Sequence, residues 1–565
     1  MKKLFLNNWP LILIFALSAL VVWPLFVSGY FSHHDNLQVM RIFEMRKCLV
    51  DLQIPCRWVP DMGYGNGFPL FNFYGPLPYY LGAAASYILG YIGAAKFLFF
   101  LPLVFAAVGM YLLAKELFGK IPGTVSAVLY LFAPYRALDS YVRGAVGESF
   151  ALAIIPFVFY FFLRLVKQKD RKYFALATFT TFLFFVSHNI MTLIFTPLII
   201  IWVLFWLYDS MKADMSSIGR HKEKWKGLKI SLLSLGLAFG ISAFFILPAF
   251  FEKGLVQTEA LTRAELNFRA QFVKVSQLFI DRSWNYAGSQ PQSTNTISYQ
   301  IGWPLWWLVA LSLIAVIFAK KRKSIPLFSL LLLTFVSGVF MTHNKSSPVW
   351  EFINILVYVQ FPWRFLSIVI FSSSLLGGYL MSFFKEKKLA AVSAAIIILT
   401  VTLNWQYFKP EHFYYGLTDS QLLSGQSFID QQAGALLDYI PKTALEPREP
   451  APTAPFFTEG TGEIKNFVNK SNRWEFDAVI NQDASIVIPV FDFPNWTVLV
   501  DGNVFPHSNN NILGRIEINL PKGGYRVKGE FRNTPIRTLA NILSLVSFGG
   551  ALLIIKYGKN RKILS

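Results

Sequence analysis

The residue types best suited to catalysis stand near the N-terminus, directly after the first long apolar segment. Residues 33–36 read His-His-Asp-Asn and follow an apolar run over 10–29. A carboxylate at the end of a membrane span can accept or orient the proton of a hydroxyl group, as a general base does. Asp35 is therefore the candidate catalytic residue, and His34 beside it is a candidate substrate ligand. The alternative is that Asp35 is a solvated residue that ends a span.

A run of glycine, proline and aromatic residues follows over 58–80. Tyrosine and tryptophan favour the interface between membrane and water, so this run is expected to lie there. Tyr74 and Tyr79 are candidates for stacking on a sugar ring or for contacting a lipid chain. Glu44 follows Asp35 by about two and a half helical turns, which predicts that it lies on an opposite, solvated face of the helix.

Arginines near the ends of later apolar segments form a second group of candidates. A guanidinium can donate two parallel hydrogen bonds, which suits it to a lipid phosphate. Arg143 is also placed to form an ion pair with Glu148 or Asp139, and Arg364 is also placed to extend to ordinary lipid headgroups. Arg269 and the loop 281–289 are candidates for covering an acceptor site. The candidate substrate ligands of this group are Arg136, Arg143, Glu148, Arg269 and Arg364.

The elements that must position these residues are membrane spans. Of the 565 residues, 54% are hydrophobic and 15% are charged, whereas about 25% are charged in a typical soluble domain. This composition excludes an ordinary soluble enzyme, a disordered chain and a disulfide-rich secreted module. Apolar stretches of about 20 residues fit the bilayer core. They predict twelve spans, at 10–29, 97–114, 121–138, 149–163, 173–190, 191–207, 230–250, 301–318, 325–342, 363–383, 389–405 and 538–555.

The net charge of +20 follows the predicted membrane topology. Basic clusters recur at alternate span ends, which the positive-inside rule places in the cytoplasm together with both termini. They account for the whole positive excess, so membrane lipid is expected as a partner and nucleic acid is not. The apolar segment 76–95 is expected to be a juxtamembrane helix, because another span would reverse every later cluster. The clusters lie at 2–3, 115–120, 164–172, 212–229, 320–323, 385–388 and 556–562.

Three large regions are expected outside the membrane, over 30–96, 251–300 and 406–537. The last has about the size of a domain, and its alternating short runs predict an antiparallel β-sandwich. The predicted organisation is a transmembrane part over 1–405, this β domain, and a last span with a basic tail over 538–565. Cys48 and Cys56 suit a disulfide or two free thiols equally well. The predicted strands are 473–480, 484–490, 496–500, 515–520 and 525–531.

Several segments together carry a resemblance to known proteins: 34–44, 63–80, 133–136, 141–144 with Glu148, and 491–502. Their order resembles the GT-C glycosyltransferases and, more closely, bacterial membrane proteins described as related to pyruvoyl-tetrahydropterin synthase. The resemblance implies transfer of a sugar from a polyprenyl-phosphate carrier to a glycan or other cell-envelope acceptor. It places this reaction at the outer face of the plasma membrane. It also implies that Asp35 is the base or the group that orients the acceptor.

The same resemblance leaves the cofactor open. Many such enzymes hold a metal with two adjacent acids or an Asp-x-Asp motif, but here position 34 is His and position 37 is Leu. No metal ligand is therefore assigned and no cofactor is firmly expected, while a divalent metal stays open. No zinc-histidine set for pterin chemistry is found.

The alternative function is a transporter or a flippase for lipid-linked glycans, because twelve spans suit a transporter equally well. A catalytically inactive scaffold that displays the β domain is a third reading. Transporters usually carry ionisable residues near the bilayer midplane. In this chain such residues cluster at the span ends, which favours the enzyme.

Overall fold

The computed structural model describes residues 2–212, 220–257, 262, 266–318, 325–434 and 436–557. The predicted basic clusters at 320–323 and in the tail from 558 onward lie outside the described residues, as does part of the cluster at 212–229.

Helices make up most of the chain. Those of the first half are α1 (Lys2–Val22), α2 (Gln38–Val50), α3 (Leu70–Phe73), α4 (Leu77–Phe118), α5 (Lys120–Leu131), α6 (Pro134–Ala137), α7 (Val146–Gln168), α8 (Arg171–Phe185), α9 (Asn189–Lys212), α10 (Arg220–Ile241) and α11 (Ala243–Phe251). Those of the second half are α12 (Val275–Phe279), α13 (Trp303–Phe318), α14 (Ile325–Thr342), α15 (Ser347–Phe352), α16 (Leu366–Met381), α17 (Glu386–Asn404), α18 (Asp419–Leu422), α19 (Gly425–Ala433), α20 (Leu436–Tyr439) and α21 (Pro535–Tyr557).

Each predicted span coincides with helical structure, which confirms a polytopic membrane protein. Among the described residues, eight helices are long and apolar enough to cross a membrane, and the pair α10 and α11, bent by 69°, is a ninth candidate. The other predicted spans fall on α5, α8 and α13, which have 12, 15 and 16 residues. The segment 76–95 opens α4 and is separated from the rest of that helix by a break at Gly90, where φ is 70°. This break agrees with a helix that leads into the next span.

Contacts between helix ends gather several basic segments at one end of the bundle. The turn between α4 and α5 shares a cleft with the turn between α16 and α17. At the same end, Arg164 Nη1 donates to Glu116 Oε2 at 2.6 Å, and Arg171 Nη1 donates to the carbonyl of Ile555 at 3.3 Å. This grouping agrees with the predicted topology, and the side of the membrane that it faces stays a prediction.

The region 406–537 contains the predicted antiparallel β domain before the last helix. The strands of the described residues are β1 (Tyr30–Phe31), β2 (Phe413–Tyr414), β3 (Phe456–Asn469), β4 (Arg473–Phe491), β5 (Trp496–Val500), β6 (Asn503–Phe505), β7 (Arg515–Leu520) and β8 (Gly523–Phe531). The last six form one sheet in the order β3-β4-β8-β5-β6, with β7 also paired to β4. The two runs predicted at 473–480 and 484–490 are one long strand, which pairs first with β8 and then with β7. The long strand β4 therefore joins β7 and β8 to the same sheet, where the prediction had two separate strands.

The β domain packs directly on the region 30–96. Trp58 is buried against Phe493, Trp496 and Phe531, with ring centroids 5.5–6.0 Å apart. Polar contacts add to this face, including Gln53 Nε2 donating to the carbonyl of Ser471 at 2.9 Å. These contacts place the two regions in one continuous hydrophobic core.

The region 30–96 contains a disulfide and a buried carboxylate. Cys48 and Cys56 form a disulfide. Glu44 is fully buried. Its Oε1 accepts hydrogen bonds from the backbone N–H groups of Asp61 and Met62 at 3.0 and 3.1 Å. The prediction of a solvated Glu44 is therefore wrong, since a later loop covers that face of α2.

A buried ion pair ties the last helix to the end of α11. Glu252 Oε2 accepts from Arg537 Nε at 2.9 Å and from Asn72 Nδ2 at 2.8 Å, and its Oε1 accepts from the hydroxyl of Thr534 at 2.6 Å. The Glu252 and Arg537 side chains are only 4% and 0% exposed. The pair therefore joins the walls of the helical part to the segment that follows the β domain.

Replacing Glu252 with glutamine is expected to destabilise the fold by about 3–5 kcal/mol, because the change leaves the buried Arg537 without its counter-charge. Thermal unfolding of the full chain in detergent measures the effect. Glu463→Gln is the matched control, since Glu463 and Lys465 form an exposed pair that is worth about 0–1 kcal/mol. Equal unfolding midpoints for the two variants would contradict the role of the buried pair.

Candidate active site

One cavity of about 980 Å³ lies where the region 30–96 meets the ends of several helices. Its wall combines ionisable side chains with apolar side chains, among them Phe239, Phe250 and Ile355. The apolar part of the wall is called the apolar arm. Six of the nine residues singled out from the sequence line it: His34, Asp35, Tyr74, Arg143, Glu148 and Arg364. The structure thus brings together candidates that come from distant parts of the chain.

Backbone pairing sets Asp35 beside the segment that carries Arg143. The N–H of His34 donates to the carbonyl of Val142 at 2.8 Å, and the N–H of Asp35 donates to the carbonyl of Arg143 at 3.0 Å. Gly144 follows with a φ of 68°, and a Cβ there would lie 2.4 Å from His33 Nδ1. A residue without a side chain is therefore required where the two segments meet.

The Asp35 carboxylate is held through one of its two oxygens. Arg41 Nη1, Gln38 Nε2 and the Tyr74 hydroxyl all donate to Oδ2, at 2.7, 3.1 and 3.4 Å. Within the part of the chain that the structure describes, no donor is placed on Oδ1. The Asp35 side chain is 29% exposed, so Oδ1 is available to a hydroxyl group in the cavity.

Arg41 supplies the charge that faces Asp35. Its guanidinium carbon lies 4.5 Å from the centre of the Tyr74 ring, and its side chain is only 4% exposed. Burial alone would lower the pKa of Arg41, but Asp35 together with Tyr74 and Tyr79 raises it overall. Arg41 therefore remains a permanent cation beside the carboxylate.

Tyr79 supports this arrangement from behind the cavity wall. Its hydroxyl donates to Gln38 Oε1 at 2.8 Å, while Gln38 Nε2 donates to the carbonyl of Gly144 at 2.9 Å as well as to Asp35. Tyr79 is fully buried and does not line the cavity. Tyr79 therefore positions the Gln38 side chain and does not itself face the cavity.

Glu148 lies at the centre of the second charged group. Its Oε2 accepts from Arg143 Nη1 at 2.9 Å and lies 3.6 Å from Arg364 Nε, and its Oε1 accepts from the hydroxyl of Tyr135. Arg143 also pairs with the buried Asp139. The ion pairs predicted for Arg143 are confirmed with both carboxylates.

The two arginines keep hydrogen-bonding capacity for a ligand. Arg143 uses only Nη1 in these pairs, and its guanidinium lies 4.5 Å from the centre of the Trp363 ring. Arg364 Nη1 donates to the carbonyl of Val359 at 2.8 Å and to Gln360 Oε1 at 3.3 Å. Among the described residues, Nη2 of either arginine has no hydrogen-bond partner. The two groups can therefore donate to an anion in the cavity.

The remaining predicted ligands lie elsewhere. Arg136 is buried and donates through Nη2 to the carbonyl of Pro102 at 2.7 Å. Arg269 has a side chain that is 60% exposed and pairs with Glu351 at 2.8 Å. Neither lines the cavity. His34 does line it, and its Nε2 is bonded at 2.9 Å to the carbonyl of Tyr286, which lies in the predicted covering loop 281–289.

Several residues in the cavity wall or directly behind it were not anticipated from the sequence. Gln38 and Arg41 lie three and six residues after Asp35, a spacing that places them on the side of α2 nearest to it and could have identified them. Other cavity residues that were not singled out are Lys253, Asp438 and Tyr439.

The polar end of the cavity carries mixed charge. Four cations, Arg41, Arg143, Lys253 and Arg364, face the three carboxylates of Asp35, Glu148 and Asp438. Among the described residues, no group of three or more His, Cys, Asp or Glu side chains is arranged to hold a metal ion. Asp35 has an arginine as its immediate charged partner.

The family described as 6-pyruvoyl-tetrahydropterin synthase related domain, membrane protein, matches residues 71–410. A protein of Lactococcus lactis subsp. cremoris (strain MG1363) is 22% identical over 244 residues, which are 42% of this chain and 38% of that protein. The chain thus aligns with well under two thirds of this relative.

Two solved structures are similar in part. Arabinofuranosyltransferase AftD from Mycobacteria matches at 15% identity with a TM-score of 0.47, over 72% of this chain and 27% of its own. The oligosaccharyltransferase of Archaeoglobus fulgidus matches at 15% identity with a TM-score of 0.46, over 79% of this chain and 61% of its own. The family match covers more than half of the sequence and confirms the closer of the two resemblances. The chain therefore belongs to the family of membrane proteins with a 6-pyruvoyl-tetrahydropterin synthase related domain.

Proposed function

We propose that this protein is a membrane glycosyltransferase that moves a sugar from a polyprenyl-phosphate carrier to a glycan or other cell-envelope acceptor. The observation that carries the proposal is the composition of the single cavity described above. A carboxylate with one unoccupied oxygen, two guanidinium groups with unused donors and an apolar arm share that space. A lipid-linked sugar requires each of these features, and a water-soluble donor would not require the last.

The apolar arm suits the prenyl chain of the carrier. Phe239, Phe250 and Ile355 line the cavity and are also 41–51% exposed. The arm therefore reaches the outer surface of the helices, where hydrocarbon chains surround a membrane protein. Lys253 lies beside this arm, with Nζ 4.9 Å from the ring centre of Tyr358, as expected for a cation at the membrane interface.

The polar end suits the phosphate and the reacting carbon. In the proposed reaction, an acceptor hydroxyl oxygen bonds to the anomeric carbon and gives up its proton to a carboxylate of the cavity, and the bond from that carbon to the phosphate oxygen breaks. The electron pair of the broken bond stays on the phosphate, whose growing negative charge Arg143 and Arg364 stabilise. Asp35 Oδ1 accepts a hydrogen bond from the acceptor hydroxyl and holds it against the sugar.

The first test is release of polyprenyl phosphate by purified full-length protein in lipid nanodiscs. Long-chain polyprenyl-phosphate sugars are expected to react, and the same sugars on a nucleotide are expected to be inert, because a nucleotide leaves the apolar arm empty. Donors with a prenyl chain of only a few carbons should show a raised KM. Absence of turnover with every polyprenyl-phosphate donor, from folded protein, would contradict the proposal.

The flippase reading is tested on the same preparation. Reconstituted vesicles that hold a fluorescent lipid-linked sugar report its movement between leaflets. Movement without any release of polyprenyl phosphate would favour the flippase over the enzyme.

A further inference from the structure

Besides Asp35 and Glu148, a third carboxylate lines the cavity and comes from a distant part of the sequence. Asp438 lies in the short helix α20 and lines the cavity together with Asp35 and Arg41, although some 400 residues separate it from them. It is half-buried. Within the described residues, its carboxylate has neither a hydrogen bond nor an ion pair in direct contact, whereas Asp35 is bonded to three donors.

The two carboxylates differ in how well they can take up a proton. Arg41 and two neutral donors already occupy Asp35 Oδ2, whereas both oxygens of Asp438 are without a hydrogen-bond partner among the described residues. Burial raises the pKa of Asp438 to about 6 although the charge of Arg41 lowers it, and the charge of Asp35 contributes to the rise. The other groups that face Asp438 are the hydroxyls of Tyr74 and Tyr439.

We propose that Asp438 is the general base of the transfer reaction, while Asp35 holds the acceptor hydroxyl in place. This inference rests on the proposed function. The acceptor oxygen bonds to the anomeric carbon, its proton passes to the Asp438 carboxylate, and the electron pair of the broken bond goes to the phosphate. Atoms and charge balance without any further reactant. A base whose pKa lies just below neutral pH is well matched to this task.

The test is the pH dependence of kcat for wild type and Asp438→Asn with a polyprenyl-phosphate sugar. Wild-type turnover should fall as the pH drops through about 6, because the protonated carboxyl cannot accept another proton. The asparagine variant should lose about 10²–10⁴-fold of kcat at neutral pH, and its residual activity should no longer fall in that range. Asp430→Asn is the matched control, since Asp430 is an exposed acid in the preceding helix α19.

A second variant keeps the inference testable if the asparagine variant folds poorly. Asp438→Glu retains a carboxyl group and should restore the fall in turnover at acid pH. A wild-type pH profile and rate in Asp438→Asn would overturn the assignment and leave the proposed function intact, as would an Asp438→Glu profile that does not fall at acid pH. No turnover by wild type with any polyprenyl-phosphate donor would overturn the proposed function and this inference together.

Discussion

Replacing Asp35 with asparagine is expected to lower kcat on the order of 10³-fold while the protein stays folded. The side chains have the same shape, so the asparagine carbonyl can still accept the hydrogen bond from Arg41. The amide then turns its NH₂ group toward the cavity, where the carboxylate presents Oδ1. A hydrogen-bond donor replaces the acceptor that holds the substrate hydroxyl, and the reacting oxygen loses its position.

The measurement is kcat and KM for a polyprenyl-phosphate sugar under saturating acceptor. The KM for the donor should change little, because Asp35 is assigned to the acceptor. The fall in turnover at acid pH should persist in Asp35→Asn, since that feature is assigned to Asp438, but it should move to lower pH because the charge of Asp35 no longer raises the pKa of Asp438. This difference separates the two carboxylates even if both variants are slow.

Asp61→Asn is the matched control for this experiment. Asp61 also lies in the region 30–96 and also pairs with a cation, Lys47, but it does not line the cavity. Its substitution should leave turnover unchanged. Wild-type turnover in Asp35→Asn would remove Asp35 from the proposed mechanism.

The sequence predicted Asp35 and Arg143 separately, and it could not place them side by side. Each stands at the end of an apolar segment, which is a local pattern that composition reveals. What joins them is backbone hydrogen bonding between His34, Asp35 and the carbonyls of Val142 and Arg143. Such pairing uses backbone N–H and C=O groups, which nearly all residues carry, so the residue types do not predict it.

Glu44 shows a related limit of reasoning from one element. Helical periodicity correctly turned it away from Asp35, and it is absent from the cavity. The predicted solvent exposure of Glu44 was nevertheless wrong, because the segment with Asp61 and Met62 covers the carboxylate and donates two backbone N–H groups to it. The period of a helix gives the direction of a side chain but does not say which loop will cover it.

The β domain was predicted in its strand positions better than in its connections. β5 and β7 begin and end at the predicted residues. The predicted strands 473–480 and 484–490 left the polar residues 481–483 between them, but in the structure these residues continue β4. A polar stretch within a strand is tolerated where the strand is exposed, and residues 481–483 are exposed. Strand exposure depends on the neighbouring strands, which the local sequence does not specify.

Arg136 and Arg364 provide the sharpest comparison among the candidate phosphate ligands. Both are buried arginines near the ends of apolar segments, and sequence alone does not distinguish them. Arg364 lines the cavity and has Nη2 unused, whereas Arg136 donates to the carbonyl of Pro102 and lies outside the cavity wall. Their roles in phosphate binding should differ accordingly.

Substitution of Arg364 by glutamine is expected to lower kcat by about 10²–10³-fold, which is the usual effect of removing one donor to a developing negative charge. The KM for the donor should rise less than kcat falls, because negative charge on the phosphate grows as the bond breaks. Glu148 keeps Arg143 and the Tyr135 hydroxyl as partners, so the buried carboxylate is not left without a counter-charge.

Arg136→Gln is the control because it applies the same chemical change to a buried arginine that does not reach the cavity. Its kcat and KM should match those of wild type. Arg364→Lys should recover only part of the lost rate, since an ammonium group cannot donate the two parallel hydrogen bonds of a guanidinium. Equal kinetic losses in Arg136→Gln and Arg364→Gln would mean that the charged end of the cavity does not bind the phosphate, and the leaving group would have to be stabilised elsewhere.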